Sequence, residues 1–187
     1  MLDIHGLMAD LSKHHPSFRL EVDFQQALVQ QILKAMPNSE PHLEHYIKNM
    51  RLDIYLPTDR IAMELKCRLS HRGVRVGRYD FLKDIQKLER VVREGKAESG
   101  FAVLLTNVHR FWCPPQRGWK TTTDAAFRLH EGRPVTGALT WADWAKPIKD
   151  RKKPICLKSS YLLQWRDYSS LGTDKNQQFR YLAVSVK

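Results

Sequence analysis

Two periods of apolar residues alternate along this chain, and the switches between them mark its elements. Phe24, Ala27, Leu28, Gln31, Ile32 and Ala35 fall at three- and four-residue steps, which predicts a helix from about Leu20 that Pro37 and Asn38 end. Residues 43–47 then read as a strand. In RLDIYLPTDRIAMELK, residues 51–66, Leu52, Ile54 and Leu56 alternate with Arg51, Asp53 and Tyr55, and Ile61, Met63 and Leu65 alternate with Ala62, Glu64 and Lys66. Period two predicts two strands, each with one apolar face. Pro57, Thr58, Asp59 and Arg60 between them have turn chemistry, so the pair reads as a hairpin.

Helical spacing returns over residues 78–94, with Phe81, Leu82, Ile85, Leu88 and Val92 on one face and Lys83, Gln86, Arg90 and Arg93 on the other. Gly95 helps end that helix, and the unbroken apolar run GFAVLLT, residues 100–106, predicts a strand buried on both faces. Residues 1–16 form a loosely amphipathic lead-in. Beyond 106 the pattern weakens. A short helix is expected over 124–130, and over 139–145 Trp141 and Trp144 stand at a three-residue step that favours packing. Two strands, YLLQWRDY and FRYLAVSV, are joined by a polar loop around 172–176 and either extend the sheet or form an appended layer. The whole is an α/β chain read as one domain, 1–187, with a core at about 18–108 and a β-containing C-terminal extension at about 109–187.

Charge changes the picture. Against 20 Asp and Glu stand 31 Lys and Arg, a formal net charge of +11, which favours a polyanionic partner, nucleic acid ahead of an anionic membrane. No apolar run is long enough to span a bilayer, and Asp3, His5 and Asp10 interrupt the N-terminal apolar residues, so a cytoplasmic protein is expected, nucleoid-associated if bacterial. Cys67, Cys113 and Cys156 are odd in number and far apart, which suits a reducing compartment and gives neither a disulfide framework nor a zinc knuckle. Gly-rich phosphate loops, GxSxG and HExxH are all absent, which leaves nucleotide hydrolysis, serine hydrolysis and zinc proteolysis without support.

The chemistry concentrates in the hairpin. Glu64 and Lys66 share a strand face, and a hairpin sets Asp53 across from Glu64. Two converging carboxylates supply hard oxygen ligands for Mg2+, with Mn2+ as a substitute, and a lysine beside them can position an attacking water, help deprotonate it, or neutralise charge on a phosphate. On the preceding helix Glu21 lies beside the apolar stripe and points toward the sheet, whereas Asp23 falls off it and faces water. Glu21 either favours the helix dipole or joins the site.

This acid, then acid-x-lysine, on paired strands within the order helix, three strands, helix, strand resembles the PD-(D/E)XK nuclease superfamily, the restriction-endonuclease-like fold. The motif residues are Asp53, then Glu64, Leu65 and Lys66, and the resemblance covers about residues 18–108. Leu52 stands where the family's proline would, and the helix after the lysine lacks a QxxxY motif, so no branch is singled out. The resemblance implies an αβββαβ core around a central mixed sheet. It implies that Asp53 and Glu64 hold the metal with the Leu65 carbonyl, that Lys66 serves the attacking water, and that Glu21 is the acid many members carry on the first helix.

The expectation is therefore a Mg2+-dependent deoxyribonuclease of endonuclease type. Its alternatives are a nucleic-acid-binding module without catalysis and a subunit that cuts only in a larger DNA-processing assembly; a homodimer is a further option. Segment 67–78, CRLSHRGVRVGR, reads as a mobile basic loop whose Arg68, Arg72, Arg75 and Arg78 grip phosphate. Lys83 and Lys87 could approach a bound strand. Trp112, Trp119 and Lys120 could stack on bases and touch phosphate, and Lys146, Lys149, Arg151, Lys152 and Lys153, the last four bracketed by Pro147 and Pro154, read as a phosphate patch or a solvated hinge.

Overall fold

The computed structural model describes the chain apart from Met1, Pro115, Gln116, Arg117, Trp119, Thr121, Ala145 and Pro147. Expectations resting on Pro147 as a bracket and on Trp119 as a base contact therefore lie outside the described residues. The helices are α1 (Ile4–His14), α2 (Glu21–Ala35) and α3 (Val74–Arg93). The strands are β1 (His42–Ile47), β2 (Met50–Leu56), β3 (Ile61–Arg68), β4 (Ser99–Thr106), β5 (Pro134–Leu139), β6 (Ile155–Leu162), β7 (Trp165–Ser170) and β8 (Gln178–Val186). From α2 to β4 the order is helix, three strands, helix, strand, as the periodicity predicts. The lead-in is more structured than expected. Asp3 caps α1 by accepting the His5 and Gly6 amides, and Ile4, Leu7, Met8 and Leu11 are buried.

Six strands form a mixed sheet in the order β1-β2-β3-β4-β8-β7. Only β3 and β4 run parallel, joined by the α3 crossover. On one side, α1 and α2 pack against Ile61, Met63 and Leu65 of β3 and Phe101, Val103 and Leu105 of β4. On the other, α3 presses Phe81, Leu82, Ile85 and Leu88 onto Ala62, Ala102 and Leu104, and the β5–β6 ribbon packs in the same cluster. The continuous apolar run of β4 is thus explained by helices on both faces, every residue from Gly100 to Thr106 being buried.

The C-terminal strands do both things the pattern allows. β8 pairs with β4 along its length and carries β7 at its outer side, whereas β5 and β6 make a separate two-stranded layer. Tyr161 and Leu162 belong to β6 rather than β7, and Leu163 lies between the two strands. Buried Glu89 of α3 fastens that layer: its carboxylate accepts the Lys158 and Ser159 amides at 2.9 Å each and the Tyr161 hydroxyl at 2.9 Å.

Two expectations are corrected here. The basic segment 67–78 is not a loop throughout, because α3 begins at Val74 rather than near Arg78. Gly73, with φ of 71°, makes the left-handed step into the helix, and Gly77 reads as a breaker but sits inside it, where a Cβ would come within 3.0 Å of Phe111. Second, β2 does not present one apolar face. Its pairing with β3 covers only Ile54–Leu56 against Ile61–Met63, and while Ile54 and Leu56 pack under α1 and α2, Met50 and Leu52 pack with the α3 cluster. The change of side falls at Asp53.

Candidate functional site

Asp53 stands where β2 leaves β3, and local interactions hold that departure. The β1–β2 ladder pairs His42–Leu43 with Ile54–Tyr55 and His45–Ile47 with Met50–Leu52, skipping Glu44 and Asp53; Glu44 has φ of 51°. Buried Gln25 of α2 reaches across, donating to the Asp53 carbonyl at 2.6 Å and to Glu44 Oε1 at 3.0 Å. With its backbone turned out of the ladder, Asp53 directs Oδ2 to the Leu65 amide at 2.6 Å, across the gap between the strands.

Glu21, in the first turn of α2, meets the same strand one step further on. Its Oε2 accepts the Cys67 amide at 2.9 Å, and its Oε1 lies 4.0 Å from Lys66 Nζ. The helical-wheel expectation that Glu21 faces the sheet holds, and Asp23 is exposed. Lys66 also donates to the Leu65 carbonyl at 3.0 Å and pairs with Asp84 of α3 at 3.0 Å. Burial works against its charged form, but the carboxylates of Asp84, Asp53 and Glu21 outweigh it and hold the ammonium above the ordinary lysine range. A lysine so held is a fixed positive charge and a poor proton acceptor.

Glu64 is 2% exposed. Burial, then the Asp84 and Asp53 carboxylates beside it, push its pKa up to about 9, against the opposing pull of Lys87. Lys87 Nζ lies 2.5 Å from Glu64 Oε2, donates to the Arg51 carbonyl at 2.8 Å, and is 4.0 Å from Asp84. Oε1 of Glu64 is buried with no hydrogen-bond partner among the described residues. Burial likewise raises Asp84, against the pull of Lys66 and Lys87. Cys67, next to Lys66, is pushed up to about 12, first by burial and then by Glu21, which makes a thiolate nucleophile unfavourable there.

The structure therefore brings Glu21, Asp53, Glu64 and Lys66 to one locus and adds two residues from α3. Asp84 was not anticipated, because as a lone acid among the apolar positions of a helix it carries no spacing signal. Lys87 was anticipated as an approach to a bound strand, and it is in fact seated on Glu64. Among the described residues no three His, Cys, Asp or Glu side chains form a ready cation cage; a Mg2+ site of the expected kind needs only one or two carboxylates with water and substrate oxygens. The Glu64 oxygen left unsatisfied among the described residues, the Asp53 carboxylate and the Leu65 carbonyl, which here accepts the Lys66 ammonium, are oxygen donors of the type such an ion takes.

The expected phosphate grips divide. Arg72 and Arg75 are exposed, and Arg75 donates to the Thr123 hydroxyl at 3.0 Å. Arg68 is partly exposed and 3.7 Å from Asp80. Arg78 is corrected outright: it is buried, paired with buried Asp124 at 2.7 Å, and donates to the Arg110 carbonyl at 2.5 Å, so it braces α3 and reaches no surface ligand. Lys83, Lys120, Lys152 and Lys153 are exposed, whereas Arg151 of the same basic run is spent on Asp80 through two hydrogen bonds. Trp112 is also corrected, since it packs in the core 5.7 Å from Trp165 and is closed to bases. Trp141 is buried and donates to the Arg151 carbonyl at 2.6 Å, but Trp144 is 70% exposed, so packing accounts for one of that pair.

No helix among the described residues is long and apolar enough to cross a membrane. No family model and no curated protein sequence matches this chain. Among solved structures, one described as the crystal structure of SSO0001 aligns with 57% of this chain and 73% of its own at 16% identity and a TM-score of 0.26, a likeness too low to carry an argument. What the chain itself establishes is a mixed α/β protein with three helices and a central mixed sheet of six strands among its described residues.

Proposed function

We propose that this protein is a metal-dependent nuclease that hydrolyses DNA phosphodiester bonds, with the core arranged as in restriction-endonuclease-like enzymes. One observation carries the reading: Glu21, Asp53, Glu64 and Lys66, from three elements, converge where β2 parts from β3, with Asp53 bonded to the amide of Leu65 between the other two motif residues. Asp53 and Glu64, with the Leu65 carbonyl, would hold Mg2+ or Mn2+. Such an ion, when bound, lowers the pKa of its water and neutralises charge on the scissile phosphate. Lys66, kept cationic by Asp84 and Glu21, positions the incoming water and offsets charge that develops in line on the phosphate, rather than taking a proton. Glu21 fixes the β3 backbone at Cys67 and so sets where Lys66 stands.

The test is incubation of the purified protein with plasmid, linear duplex, single-stranded and junction DNA in Mg2+ or Mn2+. Asp53→Ala, Glu64→Ala and Lys66→Ala are each expected to slow cleavage by about 10²-fold or more. Full cleavage in EDTA, or cleavage that survives Asp53→Ala and Glu64→Ala, overturns the reading. The ammonium of Lys87 on buried Glu64 favours one second reading, a subunit whose site opens only in a DNA-processing assembly, as a homodimer or with a partner. Inactivity alone with activity after co-purification distinguishes it, and metal-independent, salt-sensitive DNA binding without cutting in either state identifies a binding module.

A further inference from the structure

We infer that nucleic acid is held along a cationic trough between α3 and the β6 layer, which leads to Glu64 through Lys87, and that the arginines of segment 67–78 are not its main grip. This deepens the nuclease reading, on which it rests for the nature of the partner.

Two hollows of about 440 and 700 Å3 meet at Lys83 and Gln86. On the α3 side they are lined by Lys83, Lys87 and Arg93, and on the facing side by Lys149, Lys153 and Lys158. Lys83, Arg93, Lys149, Lys153 and Lys158 are all exposed, and among the described residues none of their side chains has an acid partner. The acids along the trough do not neutralise them. Glu89 spends its carboxylate on the β6 backbone and Tyr161, and Asp150 is a single charge. Cations from two separate walls that converge without partners repel one another, and a polyanion laid between them relieves that repulsion.

The dimensions suit a nucleic-acid backbone. From Lys83 to Arg93 is ten helical residues, about 15 Å at 1.5 Å each, the axial length of roughly four nucleotides of one strand of a duplex. Lys87 lies between these two and touches Glu64 Oε2 at 2.5 Å, so a phosphate drawn onto Lys87 arrives beside the carboxylates. By contrast, of the four arginines expected to grip phosphate in segment 67–78, Arg78 is buried on Asp124 and Arg68 lies against Asp80. The layer that matches no motif in the sequence thereby acquires a role, because β6 and the residues before it form the second wall.

The experiment is fluorescence anisotropy with labelled duplex and single-stranded 20-mers in EDTA, titrated over a range of NaCl concentrations. Lys83→Glu/Lys153→Glu is expected to weaken binding at least tenfold in about 0.1 M salt and to make the slope of log Kobs against log[salt] shallower by about 1.8 on duplex, two lost contacts at about 0.9 each. The neutral pair Lys149→Gln/Lys158→Gln should weaken binding in the same direction, and Arg72→Glu/Arg75→Glu should stay within about threefold of wild type. All these positions are exposed, and thermal unfolding checks that each variant is folded. Trough variants that bind like wild type, wild type that binds no nucleic acid, or wild type that binds anionic vesicles in its place overturn the inference. Because binding is read without metal, absent Mg2+ cleavage with trough-dependent binding sinks only the nuclease reading, and intact binding by the trough variants sinks the track whether or not the protein cuts.

Discussion

Glu64 concentrates the conflict on which the site turns. A carboxylate at 2% exposure with two other carboxylates beside it can be relieved by a proton, by Lys87 or by a divalent cation. In the unfolded chain Glu64 ionises near its ordinary 4.5, and in the folded protein near 9. Between those values the folded state holds a proton that the unfolded state has lost, so this residue's contribution to stability is complete below about 4.5 and falls as pH rises toward 9. In EDTA, Glu64→Gln should match wild type in urea denaturation near pH 5 and exceed it increasingly up to pH 8.5. A difference independent of pH would show that Glu64 is ionised throughout. Residue type and spacing alone picked out Asp53, Glu64 and Lys66 as candidates, since acid and acid-x-lysine on paired strands is a readable pattern. Asp84 and the seating of Lys87 were illegible because a helix that packs on a sheet puts a charged residue near it only through its rotation and depth, and neither leaves a mark in spacing.

At the scale of elements, hydrophobic periodicity located α2, β1 to β4 and α3, and its failures have identifiable causes. The start of α3 was hidden by Gly77, which is tolerated inside the helix because it lies against Phe111. The change of side in β2 was hidden because Met50, Leu52, Ile54 and Leu56 keep an unbroken apolar alternation while the backbone around Asp53 turns between them. The β5–β6 layer was hardly legible, since only the end of β6 falls in a stretch whose pattern predicts a strand, and it is held to α3 by apolar contacts, by Gln86 and by the buried carboxylate of Glu89. Glu89→Ala leaves two amides and a hydroxyl without their acceptor, a loss of about 2–4 kcal/mol. For a chain of 187 residues that is a fall in Tm of roughly 5–15 °C in a thermal melt, with Glu89→Gln in between. A melt indistinguishable from wild type would mean that the layer is held without Glu89, by its apolar contacts and Gln86.

Across the whole molecule, the segment carrying the family resemblance, about 18–108, is not closed on itself. β8 lies against β4 from Gly100 to Thr106, and its Leu182, Val184 and Val186 enter the α3 side of the core. α1 supplies Leu7, Met8 and Leu11 to the other side. A fragment of residues 18–108 is expected to lack cooperative unfolding, because it exposes an unpaired edge at β4 and much of both cores. Circular dichroism with urea denaturation checks this, and a cooperative transition in the fragment would show that the N-terminal helix and the C-terminal strands are dispensable.

The sequence by itself determined the α/β class, the helix-strand order from α2 to β4, the motif residues and the positive charge, since each depends on residue type and local spacing. Tertiary structure alone decided that β8 completes the sheet beside β4, that Arg78 and Trp112 are interior, that Asp84 and Lys87 join the motif residues, and that lysines some seventy residues apart face one trough. Such contacts follow from how elements are stacked and rotated, and positions that meet only after packing share no period along the chain.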